Sequence, residues 1–274
     1  MKSSTLAASL LLFGTLFFTA SCTKPNSIDS ATATAAAAAG PVTGKQPAAS
    51  ILDIPCIAPE GTSDSKAFGD PRFFWKNKHS FTVSFLNGPP AVHQMVMSQV
   101  RDWTRTCNVT FTQVSADTDA DFHVGFDPDG GHWSYIGTSC DAYGKKAPTM
   151  NLAINQYSPE DDVRRVVLHE FGHALGLKHE HQHPKSPIVW NEAAVIRYYS
   201  GPPNGWDIAK IRTNVLNKYT GPMTGTPNAD LHSIMHYPVP KQLTRNNVSV
   251  GWNRRISTID TQFMVQKYGS PAHR

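Results

Sequence analysis

Charge is sparse in this chain. Only 17% of its residues are charged, and Lys+Arg outnumber Asp+Glu by just 25 to 21, with no dense Lys/Arg run anywhere. The formal charge of +4 falls to +3 without the first 21 residues, because Lys2 is the one charged residue among them. So small and scattered a basic excess argues against nucleic acid or a polybasic membrane surface as partner. Long apolar runs are missing too: after Phe18 no segment has the length and hydrophobicity of a membrane helix. There are no internal repeats, which excludes a stacked-repeat architecture. Cysteine is limited to Cys22, Cys56, Cys107 and Cys140. What remains is ordinary globular material, 40% apolar over 274 residues, with room for one large domain or two small ones.

The N-terminus reads as an export signal over residues 1–21. Lys2 provides the positive start, Leu6 to Phe18 the apolar region, and Thr19-Ala20-Ser21 a small-residue cleavage site. The apolar region is short of the roughly 20 residues a membrane span needs. The position of Cys22 resembles a bacterial lipobox, with Thr19 where a Leu is more usual; lipidation of Cys22 would be the only membrane attachment, and plain signal cleavage is the other reading. The chain is therefore expected in the cell envelope or outside the cell. Within the segment 22–65, residues 23 to about 50 are rich in Ala, Ser, Thr, Pro and Gly, including the run Ala35 to Ala39, and 51–65 are open between tether and domain. Such a segment buries too little to offset its ordering entropy, so it reads as a tether or pro-segment. Export implies oxidation, and Cys56, Cys107 and Cys140 then allow one disulfide and one leftover thiol, with three pairings open.

Order is expected from about Phe68, in a domain spanning 66–270. Phe81 to Leu86 alternates and is β-rich, closing at Asn87-Gly88-Pro89-Pro90. Val92, Met95, Val96, Val100 and Trp103 then follow helical spacing. Further strands are expected at Val109 to Val114, Phe122 to Phe126, Trp133 to Ile136 and Met150 to Ile154. A β-α-β-β-β series followed by a long helix gives an α+β domain around a twisted mixed sheet.

That long helix carries the chemistry. Ser158 is expected to cap it, Pro159 to occupy its first position and Asp161 to complete a capping box. Within it lies His169-Glu170-Phe171-Gly172-His173. Histidines four apart share one helix face, so both rings can reach one ion at about 2.0–2.1 Å. Glu170 stands about 100° round the helix, able to act on a water without ligating the ion. Gly176 suits a left-handed C-cap that turns the chain and returns His179 as a third nitrogen ligand. Three protein ligands leave a coordination position open, the mark of a catalytic rather than a structural zinc site.

His169-Glu170-x-x-His173-x-x-Gly176-x-x-His179 resembles the metzincin zinc signature, and Ser233-Ile234-Met235-His236-Tyr237 resembles the methionine turn that underlies the site in that clan. Glu180 directly after the third histidine, and Tyr237 two residues after Met235, resemble the astacin branch. Trp133-Ser134-Tyr135-Ile136-Gly137 is similar to that family's substrate-binding edge strand. Ile256-Ser257-x-x-Asp260 and Tyr268-Gly269 are similar to its C-terminal helix, so the likeness runs from about Arg72 to Gly269.

The resemblance implies a zinc-dependent endopeptidase with one Zn2+ on His169, His173 and His179 and Glu170 as general base. It implies protein or peptide substrates bound as an added strand on Trp133, Ser134 and Tyr135. Tyr237 would be a displaceable fifth ligand that stabilises the oxyanion, Met235 packing, and Glu180 the partner of a buried mature N-terminus. A monomer is expected. Cys56 is a candidate latency switch that would occupy the open zinc position, a disulfide being its alternative, and Asp70 is a weaker candidate for the same role. His181 and His183 read as a surface loop beside Pro184, and the remaining histidines lack ligand spacing. Asp127 and Asp129 offer oxygens to calcium but read more simply as a turn. The competing functional class is a surface binding protein on a degenerate protease scaffold; the intact Glu170 argues against it, since binding needs no base beside the ion.

Overall fold

The computed structural model describes residues 69–142, 147–225 and 227–272. The signal segment, the tether, Cys22, Cys56 and Phe68 lie outside the described residues.

β1 (Ser80–Phe85) places Phe81, Val83 and Phe85 in the interior, as its alternation requires. α1 (Pro90–Thr106) begins with proline in its first turn, and its stripe Val92, Val96, Val100 and Trp103 is buried. It leads into β2 (Thr110–Val114), parallel to β1. β3 (Phe122–Gly125) pairs parallel on the other side of β1. β4 (Trp133–Ser134) and β5 (Met150–Asn151) complete a five-stranded sheet in the order β2-β1-β3-β5-β4. Only the β4–β5 pair is antiparallel, and β4 has no neighbour on its outer side among the described residues. The mixed sheet expected of the sequence is therefore present, with β4 on its rim.

α2 (Glu160–Ala174) packs against α1; the Trp103 indole donates to the Leu168 carbonyl at 3.0 Å. Its first turn carries Glu160, Asp161 and Asp162, which complement the positive end of the helix. The expected Ser158 cap is not formed. Pro159 is the N-cap, in extended conformation at ψ 137°, so the helix starts one residue later. The Ser158 hydroxyl instead accepts from the Asn155 N–H at 3.0 Å.

Beyond α2 the chain builds a second layer from α3 (Glu192–Ser200) and the short α4 (Ile208–Ile211). Val195, Tyr199, Trp206, Ile211, Val215 and Leu243 form their own apolar cluster. α5 (Thr258–Tyr268) closes the domain, starting from a full capping box between Ser257 and Asp260. Cys107 and Cys140 are buried free thiols, so a disulfide between these two, one of the three pairings left open, is not formed. Burial pushes both up to about 12. Among the described residues no helix is long and apolar enough to cross a membrane.

Candidate metal centre and catalytic cleft

The end of α2 sets the site. Gly176 takes φ +101°, the left-handed region where a side chain is strained. Its N–H bonds the His173 carbonyl at 2.8 Å and the Leu177 N–H bonds the Gly172 carbonyl at 2.9 Å. This pair is a Schellman termination, and it directs the chain back so that His179 meets the two helix histidines.

One nitrogen from each of His169, His173 and His179 lies within 4.8 Å of the others, and all three residues are buried. His169 Nδ1 donates to the Ile234 carbonyl and His173 Nδ1 to the Leu177 carbonyl, each at 2.8 Å. A carbonyl only accepts, so these contacts fix the tautomer and leave each Nε2 as a lone pair. His169 Nε2 is buried with no partner among the described residues. His173 Nε2 faces His179 Nε2 at 3.0 Å. Burial is the main cause that lowers His173 to about 4 and pushes His169 and His179 well below the usual imidazole value. Imidazoles kept neutral by burial, two of them with their Nε2 lone pairs turned inward, are what a divalent cation requires. The residues fit a metal ion.

Beneath the helix, Met235 packs against Gly172, where an added Cβ would lie 2.4 Å from the sulfur. The turn that carries Met235 is held by Asp260, which accepts from the Ser233 hydroxyl at 2.6 Å and the Ile234 N–H at 2.8 Å. Since the Ile234 carbonyl orients His169, the α5 cap and a zinc-ligand candidate are linked through a single residue of the turn. The Glu180 N–H bonds the Met235 carbonyl at 3.0 Å, tying the third-histidine loop to the same turn. Glu170 is 1% exposed and lines one cleft with His169, Tyr237, Arg165, His132 and Trp252. Tyr237 packs on His179 with ring centroids 4.3 Å apart.

The family model described as Astacin, a peptidase family, matches residues 70–269. The chain belongs to the astacin family. A structure of myroilysin is 34% identical, covering 73% of this chain and 97% of that one with a TM-score of 0.70. A crystal structure of myroilysin is 33% identical over 78% and 90% of the two chains, with a TM-score of 0.58. High choriolytic enzyme 1, a hatching enzyme zinc-protease from the medaka fish Oryzias latipes, shares the fold at 18% identity, covering 74% and 97% with a TM-score of 0.51. No curated protein matches the sequence. The domain is thus an α+β metzincin fold of metallopeptidase type.

Two histidines of this astacin lie elsewhere than expected. His181 and His183 are fully buried rather than on a surface loop. The Asp70 carboxylate accepts from the Arg72 main-chain N–H and guanidinium. Burial alone would raise its pKa, but Arg72 carries it below the usual carboxylate value, and it forms an ion pair at the start of the domain. Glu180 accepts from the Asp230 N–H at 2.6 Å. Its burial, with Asp260 and Asp230 nearby, pushes it well above the usual range. Asp127 closes its own turn by accepting from the Asp129 N–H at 3.0 Å, as the simpler reading expects. Trp133 and Ser134 form the rim strand, while the Tyr135 N–H continues it by bonding the Thr149 carbonyl at 3.0 Å.

His132, Arg165 and Trp252 line the cleft although no sequence motif places them there. Arg165 lies four residues before His169, a helical spacing that could flag it. Its guanidinium sits 4.2 Å from the centroid of the Trp252 ring. His132 accepts from the Ala153 N–H at 3.1 Å through Nδ1, and burial lowers it to about 3; no local signal marks it.

Proposed function

We propose that the chain is an exported zinc endopeptidase with His169, His173 and His179 as ligands and Glu170 as general base. The observation that carries this reading is the set of three buried nitrogens within 4.8 Å, two with tautomers fixed by backbone carbonyls, beside buried Glu170. When bound, zinc lowers the pKa of a water molecule and polarises the scissile carbonyl. Glu170 takes a proton from the attacking water at its carboxylate and passes it to the leaving amine. The Tyr237 hydroxyl donates to the oxyanion that develops on the substrate carbonyl. Met235 contributes packing, not chemistry.

Substrate binds in extended form along Trp133, Ser134 and Tyr135. The rim of β4, unpaired on its outer side among the described residues, can take an added strand, with main-chain bonds that do not depend on side chain. This suits internal bonds of unfolded or extended proteins. The protein acts as a monomer outside the cytoplasm, on the envelope if Cys22 is lipidated, with no nucleic-acid partner. Cys56 is proposed to hold the enzyme latent until the N-terminal segment is removed.

The test is hydrolysis of an internally quenched peptide by wild type, Glu170→Gln and Tyr237→Phe, all with zinc content measured. Glu170→Gln should lose about 10²–10⁴-fold in kcat while keeping zinc. A Glu170→Gln protein as active as wild type would overturn the reading.

A further inference from the structure

His181 is fully buried and takes no part in the three-nitrogen cluster. It sits in the short turn Glu180–Gln182 that follows the third ligand candidate. Its ring lies face to face with Tyr237, centroids 4.4 Å apart and planes 25° from parallel. His179 packs on Tyr237 as well, with planes tilted by 56°, and lies 5.3 Å from His181, so the three rings form one cluster. The imidazole is itself fixed. Its Nε2 contacts the Asn214 carbonyl at 2.9 Å and must therefore donate, and the Trp190 ring meets it edge-on at 6.4 Å. The turn beneath it is braced by Gln182, whose side-chain amide donates to the Thr213 carbonyl at 2.7 Å and whose carbonyl accepts from the Tyr219 N–H at 3.0 Å. Asn214 and Thr213 belong to the helical turn Arg212–Leu216 of the second layer.

From this geometry we infer that His181 is a positioning residue for Tyr237: a fixed aromatic plate, anchored to the second layer, on which the phenol ring is aimed at the reacting carbonyl. The inference rests on the oxyanion role of Tyr237 proposed above. A phenol that donates to a developing oxyanion must keep its hydroxyl on the cleft side in the transition state. Offset ring stacking restricts its tilt while leaving the in-plane direction free. The loss on removing the plate should fall on kcat, because the hydroxyl contact exists only when charge develops.

The experiment is a kinetic double-mutant cycle with zinc content matched. His181→Leu should lower kcat about three- to tenfold, the range a stacked pair supports, with KM within about twofold. His181→Phe, which keeps a ring at that place, should recover most of the loss. In a Tyr237→Phe background His181→Leu should change kcat by less than about twofold. Equal losses in both backgrounds, or no recovery by His181→Phe, would overturn the positioning role. If Tyr237→Phe alone leaves kcat unchanged, the oxyanion role fails, and this inference with it. A readout independent of activity is the crystal structure of metal-free His181→Leu. The Tyr237 ring should leave its 4.3 Å packing on His179; a ring that keeps it would also overturn the inference.

Discussion

Adding one methyl group at Gly172 tests how the methionine turn supports the metal centre. The Cβ of Gly172→Ala would lie 2.4 Å from Met235 Sδ and 3.2 Å from Trp103 Cζ2. Ordinary contact begins at about 3.4 Å, so the sulfur must move by about 1.0 Å (3.4 − 2.4). Met235 is 1% exposed. Overpacking of this kind costs about 1–3 kcal/mol, and the better helix propensity of alanine returns about 1 kcal/mol. The net is a loss of about 1 kcal/mol, or about 2–4 °C in Tm for a domain of this size. A displaced Met235 also moves Ile234, whose carbonyl orients His169, so zinc affinity should fall with stability. The assay is thermal unfolding together with zinc affinity by competition against a fluorescent chelator, run as a cycle with Met235→Ala. Met235→Ala alone should cost about 2–5 kcal/mol, and the added methyl should partly fill its cavity, so the double variant should lose less than the sum. A Gly172→Ala protein with raised Tm and unchanged zinc affinity, or strictly additive losses, would show that Met235 does not brace the metal centre.

Four other outcomes are expected. Asp260→Asn leaves one acceptor oxygen where the carboxylate serves Ser233, Ile234 and Ser257; it should cost about 1–3 kcal/mol and weaken zinc binding, and an unchanged Tm contradicts this. His173 is lowered to about 4, with His169 and His179 also well below the usual value. Protons should therefore displace zinc from the folded protein only near pH 4, and release centred near pH 6.5 in protein that is still folded would count against it. Without metal, the unfolded chain protonates these histidines first, so stability should fall as pH drops below about 6.5; a metal-free Tm that rises from pH 7 to pH 5 would contradict that sign. Removing residues 1–67 should raise peptidase activity if Cys56 holds the enzyme latent, and equal activities of full-length and shortened protein refute that proposal.

The metal helix is legible in the sequence because every signal in it is local. Histidines four apart, a glycine three residues after His173 and an apolar helix around them need no distant partner to be read. The strand at Met150 is shorter than its apolar run for a reason that lies elsewhere in the chain. After Asn151 the Ala153 N–H turns to the His132 ring rather than to a neighbouring strand. His181 reads as exposed because polar residues and Pro184 surround it in sequence. Its cover comes from Asn214, Trp190 and Tyr237, none of which lies within its own segment. Ser158 has the residue type for a cap, but the extended Pro159 takes that position. The third ligand can be read because Gly176 announces the turn. The shape of the cleft, with His132, Arg165 and Trp252 drawn from three separate segments, could only come from the fold.

The proposed chemistry needs one zinc ion on three histidines, with Glu170 beside it, to cut internal peptide bonds. The most direct measurement is casein hydrolysis by the purified protein before phenanthroline treatment, after it, and after stoichiometric zinc is returned, with metal content assayed at each stage. One zinc per chain is expected, with activity lost with the metal and restored with it. Hydrolysis that persists in metal-free protein, or none from folded protein carrying one zinc with its N-terminal segment removed, would contradict it.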